Sequence, residues 1–301
     1  MIYPEPLKKG DKILILSPAS VIVPSVVDEG AEILRKWGFE PVISEHCKDQ
    51  VGKYARTVAN RTADIINGYK DSSIKAMMCS RGGYGLVHLL DNIPNEVIRD
   101  NPKWVIGFSD ISVWHAKSIT SGVASLHAPM CKHLSVWGGD DQSSQFLKSI
   151  ITGTYPTYTL PTHKYNNAGV AEGQIVGGNL AVLMGLVSTP NDIMLKDKIL
   201  FIEDVGENIY RIERMLYTLR HNGVLANIKG LIVGKFTEYS ADRDFGSMYD
   251  MIHSMVKDYD YPIAFNFPVG HVDHNLPIVE GANAKLIVTD DIVTLNTKGE
   301  F

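Results

Sequence analysis

Short apolar runs alternate with amphipathic stretches through the first half of the chain. "KILILS", from Lys12, has the length and apolarity of a buried strand. In "SVVDEGAEILRKWGFEP" after it, Val27, Gly30, Ala31 and Leu34 recur at helical spacing before Gly38 supplies a stop. The pattern then predicts a strand around "PVIS", a helix in "RTADIINGYKD", the strand "IKAMMCS", a helix near "LVHLLDN", the strand "WVIGF", and a helix from about Ile111 to Ile119. Repeated alternation of this kind implies a mostly parallel sheet covered on both faces, in which ligands gather at the carboxyl ends of the strands. Two loops fall at such ends, "SRGGYG" and "FSD".

From Thr152 to Gly173 the text becomes "TGTYPTYTLPTHKYNNAGVAEG", without helical periodicity. It reads as a connector, residues 153–172, between an N-terminal domain of residues 1–152 and a C-terminal domain of residues 173–301. Beyond it, "GQIVGGNLAVLMGLVS" predicts a strand, a glycine turn and a helix, and "DKILFIEDVGE" a buried strand ending in acids. In "NIYRIERMLYTLRHNG" Ile209, Ile212, Leu216 and Leu219 share one helix face, with Gly223 at the stop. The strand "GLIVGKF" and a strand-like, loop-rich tail complete a smaller α+β unit, so the fold class is α/β, an N-terminal parallel sheet with helices on both faces plus a smaller C-terminal α+β domain.

At 301 residues the chain has ample length to bury a core without disulfide or metal, and its formal charge of -5 carries no block of Lys or Arg. A nucleic-acid partner is therefore disfavoured. Cys47, Cys79 and Cys131 are odd in number, widely spaced and outside any metal-ligand pattern, which suits a reducing compartment. The apolar run near the N-terminus is very short, flanked by Asp11 and Lys12 and interrupted by Pro18, so it reads as a first strand rather than a targeting signal. No segment approaches the length of a membrane span. The expectation is a cytoplasmic protein with no membrane partner.

If "WVIGF" is a strand and Ile111 begins a helix, Ser109 occupies the sharp turn that presents a hydroxyl at a sheet edge, with Gly107 relieving crowding. The helix N-terminus then points its N–H groups at the place where an oxyanion would form, the N–H of Asp110 first. The Asp110 side chain is expected to cap the helix. An ordinary capping pair of Ser109 and Asp110 explains the same residues, since G-x-S-x-G is broken at Ile111. In "CSRGGYG" the N–H of Gly83 is a candidate second oxyanion donor and Arg81 a candidate grip on a substrate carboxylate; the alternative is a tight turn with a solvated arginine. No dinucleotide fingerprint is present.

A reactive serine needs a base and the base an orienting acid. His271 in "PVGHVDHN" follows an apolar strand and precedes a polar loop, which makes it the best-placed histidine. Asp273 and His274 close by suggest no third metal ligand, so no metal and no cofactor are expected. His115 and His127 lie in apolar text and read as core histidines. Glu203 ends a buried strand, where a carboxylate needs a partner to stay ionised; a structural acid or an ion-pair partner fits equally. Asp204 points to the opposite face by strand alternation, and Glu207 opens the next helix.

Taken together, "KGDKILILSPAS", "CSRGGYG", "IGFSDIS", "GGNLAVL", "LFIEDVGENIYRIERML" and "FPVGH", in this order, resemble the LD-carboxypeptidase family of serine peptidases: muramoyltetrapeptide carboxypeptidases and relatives that inactivate microcin C-type antibiotics. The resemblance covers nearly the whole chain. It implies Ser109 as nucleophile, Glu203 as triad acid and His271 as general base, with N–H groups of Gly83 and Asp110 receiving the oxyanion. It also implies a flavodoxin-like N-terminal domain, a C-terminal domain bearing the acid and base, and a homodimer. The implied substrate is a murein tetrapeptide losing its terminal D-Ala, without a metal. A peptidyl-nucleotide substrate is the alternative; no nucleotide-recognising loop stands out between Leu126 and Tyr155, and Trp137 or Trp114 would have to clamp the base. A relative that binds peptide without catalysis is the alternative of another class, and the presence of all three triad residues argues against it.

Overall fold

The computed structural model describes residues 1–241 and 243–297, so residues 298–301 of the expected C-terminal domain lie outside the described residues. Among the described residues the strands are β1 (Lys12–Leu16), β2 (Glu40–Ile43), β3 (Ile74–Cys79), β4 (Trp104–Gly107), β5 (Ser125–His127), β6 (Thr157–Pro161), β7 (Gly169–Asn179), β8 (Lys198–Val205), β9 (Gly230–Thr237), β10 (Ile263–Phe265), β11 (Ile278–Glu280), β12 (Asn283–Val288) and β13 (Ile292–Asn296). Two compact units result, one of Met1–Tyr155 with Leu276–Glu280, the other of Pro156–Asn275 with the chain from Gly281.

In the first unit β1 to β5 are all parallel, in the order β5-β4-β3-β1-β2, and β11 adds antiparallel to the edge strand β5. The parallel part has flavodoxin-like order. Continuous burial along β1 and β4 is what a sheet covered on both faces requires. One helical layer is Pro24–Lys36 with Cys131–Trp137; Gly30 permits their approach, because a Cβ there would lie 2.9 Å from the Cys131 Cβ. The other joins Val58–Lys70, Asn95–Arg99 and Ser112–Thr120. The helix expected near "LVHLLDN" is a 3-10 helix, Leu86–Asn92. All three cysteines are buried free thiols.

The second unit has one mixed sheet, in the order β10-β9-β8-β7-β12-β13-β6, parallel from β7 to β10 and antiparallel through β12, β13 and β6. Helices Ile209–His221 and Met248–Val256 pack against each other. Two local readings change. The stretch 153–172 contains β6 and the start of β7: Tyr158 is buried between exposed Thr157 and Thr159, a period-two pattern carried by strand-forming Thr and Tyr instead of aliphatics. The expected glycine turn at Gly177–Gly178 lies inside β7, where a Cβ on Gly177 would come within 2.0 Å of the Phe201 carbonyl oxygen on β8. The chain leaves the strand at Asn179, whose side chain caps helix Leu180–Met184. No helix among the described residues is long and apolar enough to cross a membrane.

Candidate functional site

β4 ends at Gly107, and the chain turns through Phe108 into a 3-10 turn, Ser109–Ile111, that runs on into helix Ser112–Thr120. Ser109 has φ 69°, in the left-handed region that a side chain enters at a cost of order 1–3 kcal/mol. Strain of this kind belongs to a strand-to-helix turn that presents a hydroxyl. A Cβ on Gly107 would lie 2.9 Å from the Ile111 Cγ1, so the isoleucine that breaks the G-x-S-x-G pattern packs over the glycine that remains.

The loop after β3 passes Ser109 with bare backbone: a Cβ on Gly82 would stand 2.9 Å from the Ser109 Cβ and 3.1 Å from its Oγ. Gly83 follows at φ 117°, and a Cβ there would lie 2.2 Å from the Ser20 Oγ, which accepts the Tyr84 N–H at 3.1 Å. Loops after β1, β3 and β4 thus meet at the carboxyl end of the sheet. Arg61, buried on helix Val58–Lys70, ties two of them together by donating to the carbonyls of Pro18 at 2.7 Å and Gly85 at 3.0 Å. No motif marks Arg61; the only signal is an arginine among the inward positions of an amphipathic helix.

The Asp110 side chain does not cap its own helix. Its carboxylate accepts the Leu86 N–H at 2.9 Å, because the tight turn aims it at the start of helix Leu86–Asn92 rather than along Ser112–Thr120. Burial pushes this carboxyl up to about 6, against the Leu86 bond and the Arg61 charge. Arg81 is half-buried, with Nη1 3.4 Å from the Val21 carbonyl oxygen. His115 is a core histidine, as its apolar text suggested, and it braces the turn. Its ring nitrogens meet the Ser125 Oγ at 2.5 Å and the Gly107 carbonyl oxygen at 2.8 Å, and burial holds it neutral, down to about 4.

In the second unit Glu203 continues the regular register of β8 with β7, opposite Asn179, while on its other side β9 places one extra residue between Val233 and Phe236, the partners of Ile202 and Asp204. Asp204 accepts from the Asn179 side chain at 3.1 Å and the Ala181 N–H at 2.8 Å, fixing the start of helix Leu180–Met184; burial raises it to about 6. Glu203 is fully buried and accepts a hydrogen bond of 2.8 Å from His271 Nδ1. Burial alone would lower the His271 pKa, but the hydrogen bond and charge of Glu203 outweigh it and leave the imidazole raised above its ordinary 6.5. The pair is a histidine with one nitrogen committed to a carboxylate, the arrangement that fixes a tautomer and stabilises an imidazolium.

Gly270 holds this pair. It has φ 123°, its N–H donates to the Asn275 Oδ1 at 2.9 Å, and a Cβ there would lie 2.8 Å from the Glu203 Oε2. Gly270→Ala is expected to destabilise the fold by about 1–3 kcal/mol and to move the His271 titration back toward its ordinary value. Thermal melts and the imidazole ring signals in NMR check this; an unmoved titration would show that the carboxylate is held by other groups.

The sequence-derived residues thus gather in two sets: Ser109, Asp110, Gly83 and Arg81 around one sheet end, Glu203 and His271 in the other unit. Asp273 and His274 are exposed. Trp114 is fully buried and donates to the Tyr69 hydroxyl at 3.1 Å, so it presents no face to a nucleobase, whereas Trp137 is 44% exposed.

Residues 13–128 match the family model of the LD-carboxypeptidase N-terminal domain, and residues 172–286 that of the LD-carboxypeptidase C-terminal domain. The chain is 31% identical to the "Probable murein peptide carboxypeptidase" of Bacillus subtilis, over 94% of this chain and 91% of the relative. It superposes on the crystal structure of muramoyltetrapeptide carboxypeptidase from Oxalobacter formigenes with a TM-score of 0.88 at 23% identity, covering 95% of this chain and 98% of that one. The microcin C7 self immunity protein MccF in complex with aspartyl sulfamoyl adenosine superposes with a TM-score of 0.88 at 20% identity over the full length of both chains.

Proposed function

The chain belongs to the LD-carboxypeptidase family, and on that premise we propose that it is a serine carboxypeptidase removing the terminal D-Ala from murein tetrapeptides. Ser109 is the nucleophile, His271 the general base and Glu203 the acid that orients it. The observation that carries this reading is the 2.8 Å bond between His271 Nδ1 and the buried Glu203, since a carboxylate-oriented imidazole is what an activated serine requires.

In the reaction, Ser109 Oγ attacks the carbonyl of the scissile bond as His271 Nε2 takes its proton. The developing oxyanion is received by the N–H groups of Gly83 and Asp110. The C–N bond breaks as His271 returns the proton to the amine of D-Ala, leaving an acyl-serine. Water, deprotonated by His271, then attacks the ester, and the released Ser109 oxygen regains its proton. Arg81 takes a substrate carboxylate. We place the enzyme in the cytoplasm, on peptides recovered from the wall, as a homodimer.

The test is incubation of the purified chain with L-Ala-γ-D-Glu-L-Lys-D-Ala and with its meso-diaminopimelate counterpart, followed by amino-acid analysis. Release of free D-Ala, unchanged by a chelator, is expected; intact peptides would overturn the reading. A second reading, hydrolysis of a peptidyl nucleotide by the same three residues, is favoured by the likeness to MccF. Cleavage of an aspartyl sulfamoyl or phosphoramidate nucleotide in preference to murein peptide would establish it instead. A chain that binds peptide but cleaves neither substrate is a binding protein.

A further inference from the structure

Beside the loop that lines Ser109, the first unit carries a surface aromatic group on a rigid backbone. Tyr84 lies between Gly83 and Gly85, both at φ 117°, and its N–H is held by the Ser20 Oγ. A Cβ on Gly85 would lie 2.7 Å from the Tyr54 ring, so the backbone on either side of Tyr84 is fixed by close approach. Yet the Tyr84 side chain stays 49% exposed, with the His88 ring edge-on at 5.4 Å.

Lys53 completes the group. Its Nζ stands 5.2 Å from the centre of the Tyr84 ring and 5.7 Å from that of Tyr54, and among the described residues no carboxylate comes within ion-pair distance of it. Its own carbonyl accepts the Val21 N–H at 3.0 Å, which anchors its segment to the loop after β1. Nearby cations are engaged differently: Arg56 pairs with Asp49 at 3.6 Å, and Arg61 is spent on backbone carbonyls. An exposed ammonium beside a half-exposed ring on a held backbone offers an anion a charge partner and its aliphatic shoulder a ring face.

The position of the group sets what it reads. Gly82 backs directly on Ser109, and Tyr84 is two residues further, about 7 Å of chain at most. One extended substrate residue spans about 3.5 Å, so the group stands at the range of a residue next to the one whose carbonyl is attacked, and of those neighbours the preceding one carries a side carboxylate in a murein tetrapeptide. We infer that Lys53 and Tyr84 form a recognition clamp for a carboxylate on that residue. In a murein tetrapeptide this is the α-carboxylate of the γ-linked D-Glu. The inference rests on the reading of the chain as a carboxypeptidase acting through Ser109, and it adds a determinant of which stem peptides are taken.

The test compares L-Ala-γ-D-Glu-L-Lys-D-Ala with the peptide in which the D-Glu α-carboxylate is an amide. The wild-type chain is expected to prefer the free acid by about tenfold in kcat/KM, the worth of one hydrogen bond to a charged group. Lys53→Met is expected to bring that ratio near one through a rise in KM for the acid, Lys53→Arg to keep most of it, and Tyr84→Leu to weaken binding of both peptides. A wild-type ratio near one, or an undiminished ratio in Lys53→Met, overturns the clamp. Should neither peptide be cleaved, the carboxypeptidase reading fails. Calorimetric binding of the two peptides to the wild-type chain then decides the clamp separately, with tighter binding of the acid supporting it and equal or absent binding overturning it.

Discussion

Ser109→Ala is expected to lower the rate of D-Ala release by roughly 10⁴- to 10⁶-fold while leaving the fold intact. The size follows from chemistry. Without the hydroxyl no acyl-enzyme forms, and what persists is the contribution of oxyanion donors and substrate positioning, typically about 10³–10⁴ over water. Stability should hold because alanine keeps the Cβ that packs against Gly82, and it meets the same demand for φ 69° as serine does. The measurement is single-turnover release on protein whose melting curve matches wild type. A loss below tenfold would mean that water attacks directly and that Ser109 only shapes the turn.

Glu203→Gln is expected to cost about 10³–10⁴ in kcat, and to move the pH profile in a stated direction. A general base must be neutral, so activity falls as pH drops below the His271 pKa. In the wild type, burial lowers that pKa, but the Glu203 hydrogen bond and charge raise it above the ordinary 6.5. The acidic limb of kcat/KM therefore lies above that value. With glutamine the charge is gone while burial remains, so the limb shifts to lower pH even as the plateau falls. The amide also offers Nδ1 a donor as readily as an acceptor, which loses control of the tautomer. A full profile for both proteins checks the shift; a limb that stays in place would mean that a group other than His271 titrates there.

Much of this was legible because it rested on periodicity and on loops at strand ends. The parallel sheet followed from alternating buried runs and amphipathic helices, and "FSD" could be placed on a strand-to-helix turn from the strand "WVIGF" and the helix expected from Ile111. Other features depend on partners distant in sequence. Asp110 looked like a cap because capping is local, but its acceptor role is set by Leu86 at the start of another helix. Gly177 and Gly178 looked like a turn because glycine is a turn residue; what demands Gly177 is the Phe201 backbone on the adjacent strand. Nothing in "KILFIED" shows that Glu203 accepts from His271, 68 residues further on, and Arg61 gives none of its carbonyl partners away. β6 was hidden for a different reason, its apolar alternation being written in Tyr and Thr within a Pro- and Asn-rich stretch.

The strand β11 gives the chain an unusual order of completion. It lies after His271 in the sequence but closes the edge of the first sheet by pairing with Ser125–His127 on β5. On the ribosome, the first unit can gather its five parallel strands early, but β5 keeps unpaired backbone groups on its outer side until Ile278–Glu280 has been made. The amino-terminal unit therefore cannot be severed as a finished module at Tyr155, and its last strand arrives only after the residues meant to supply the acid and the base have been translated.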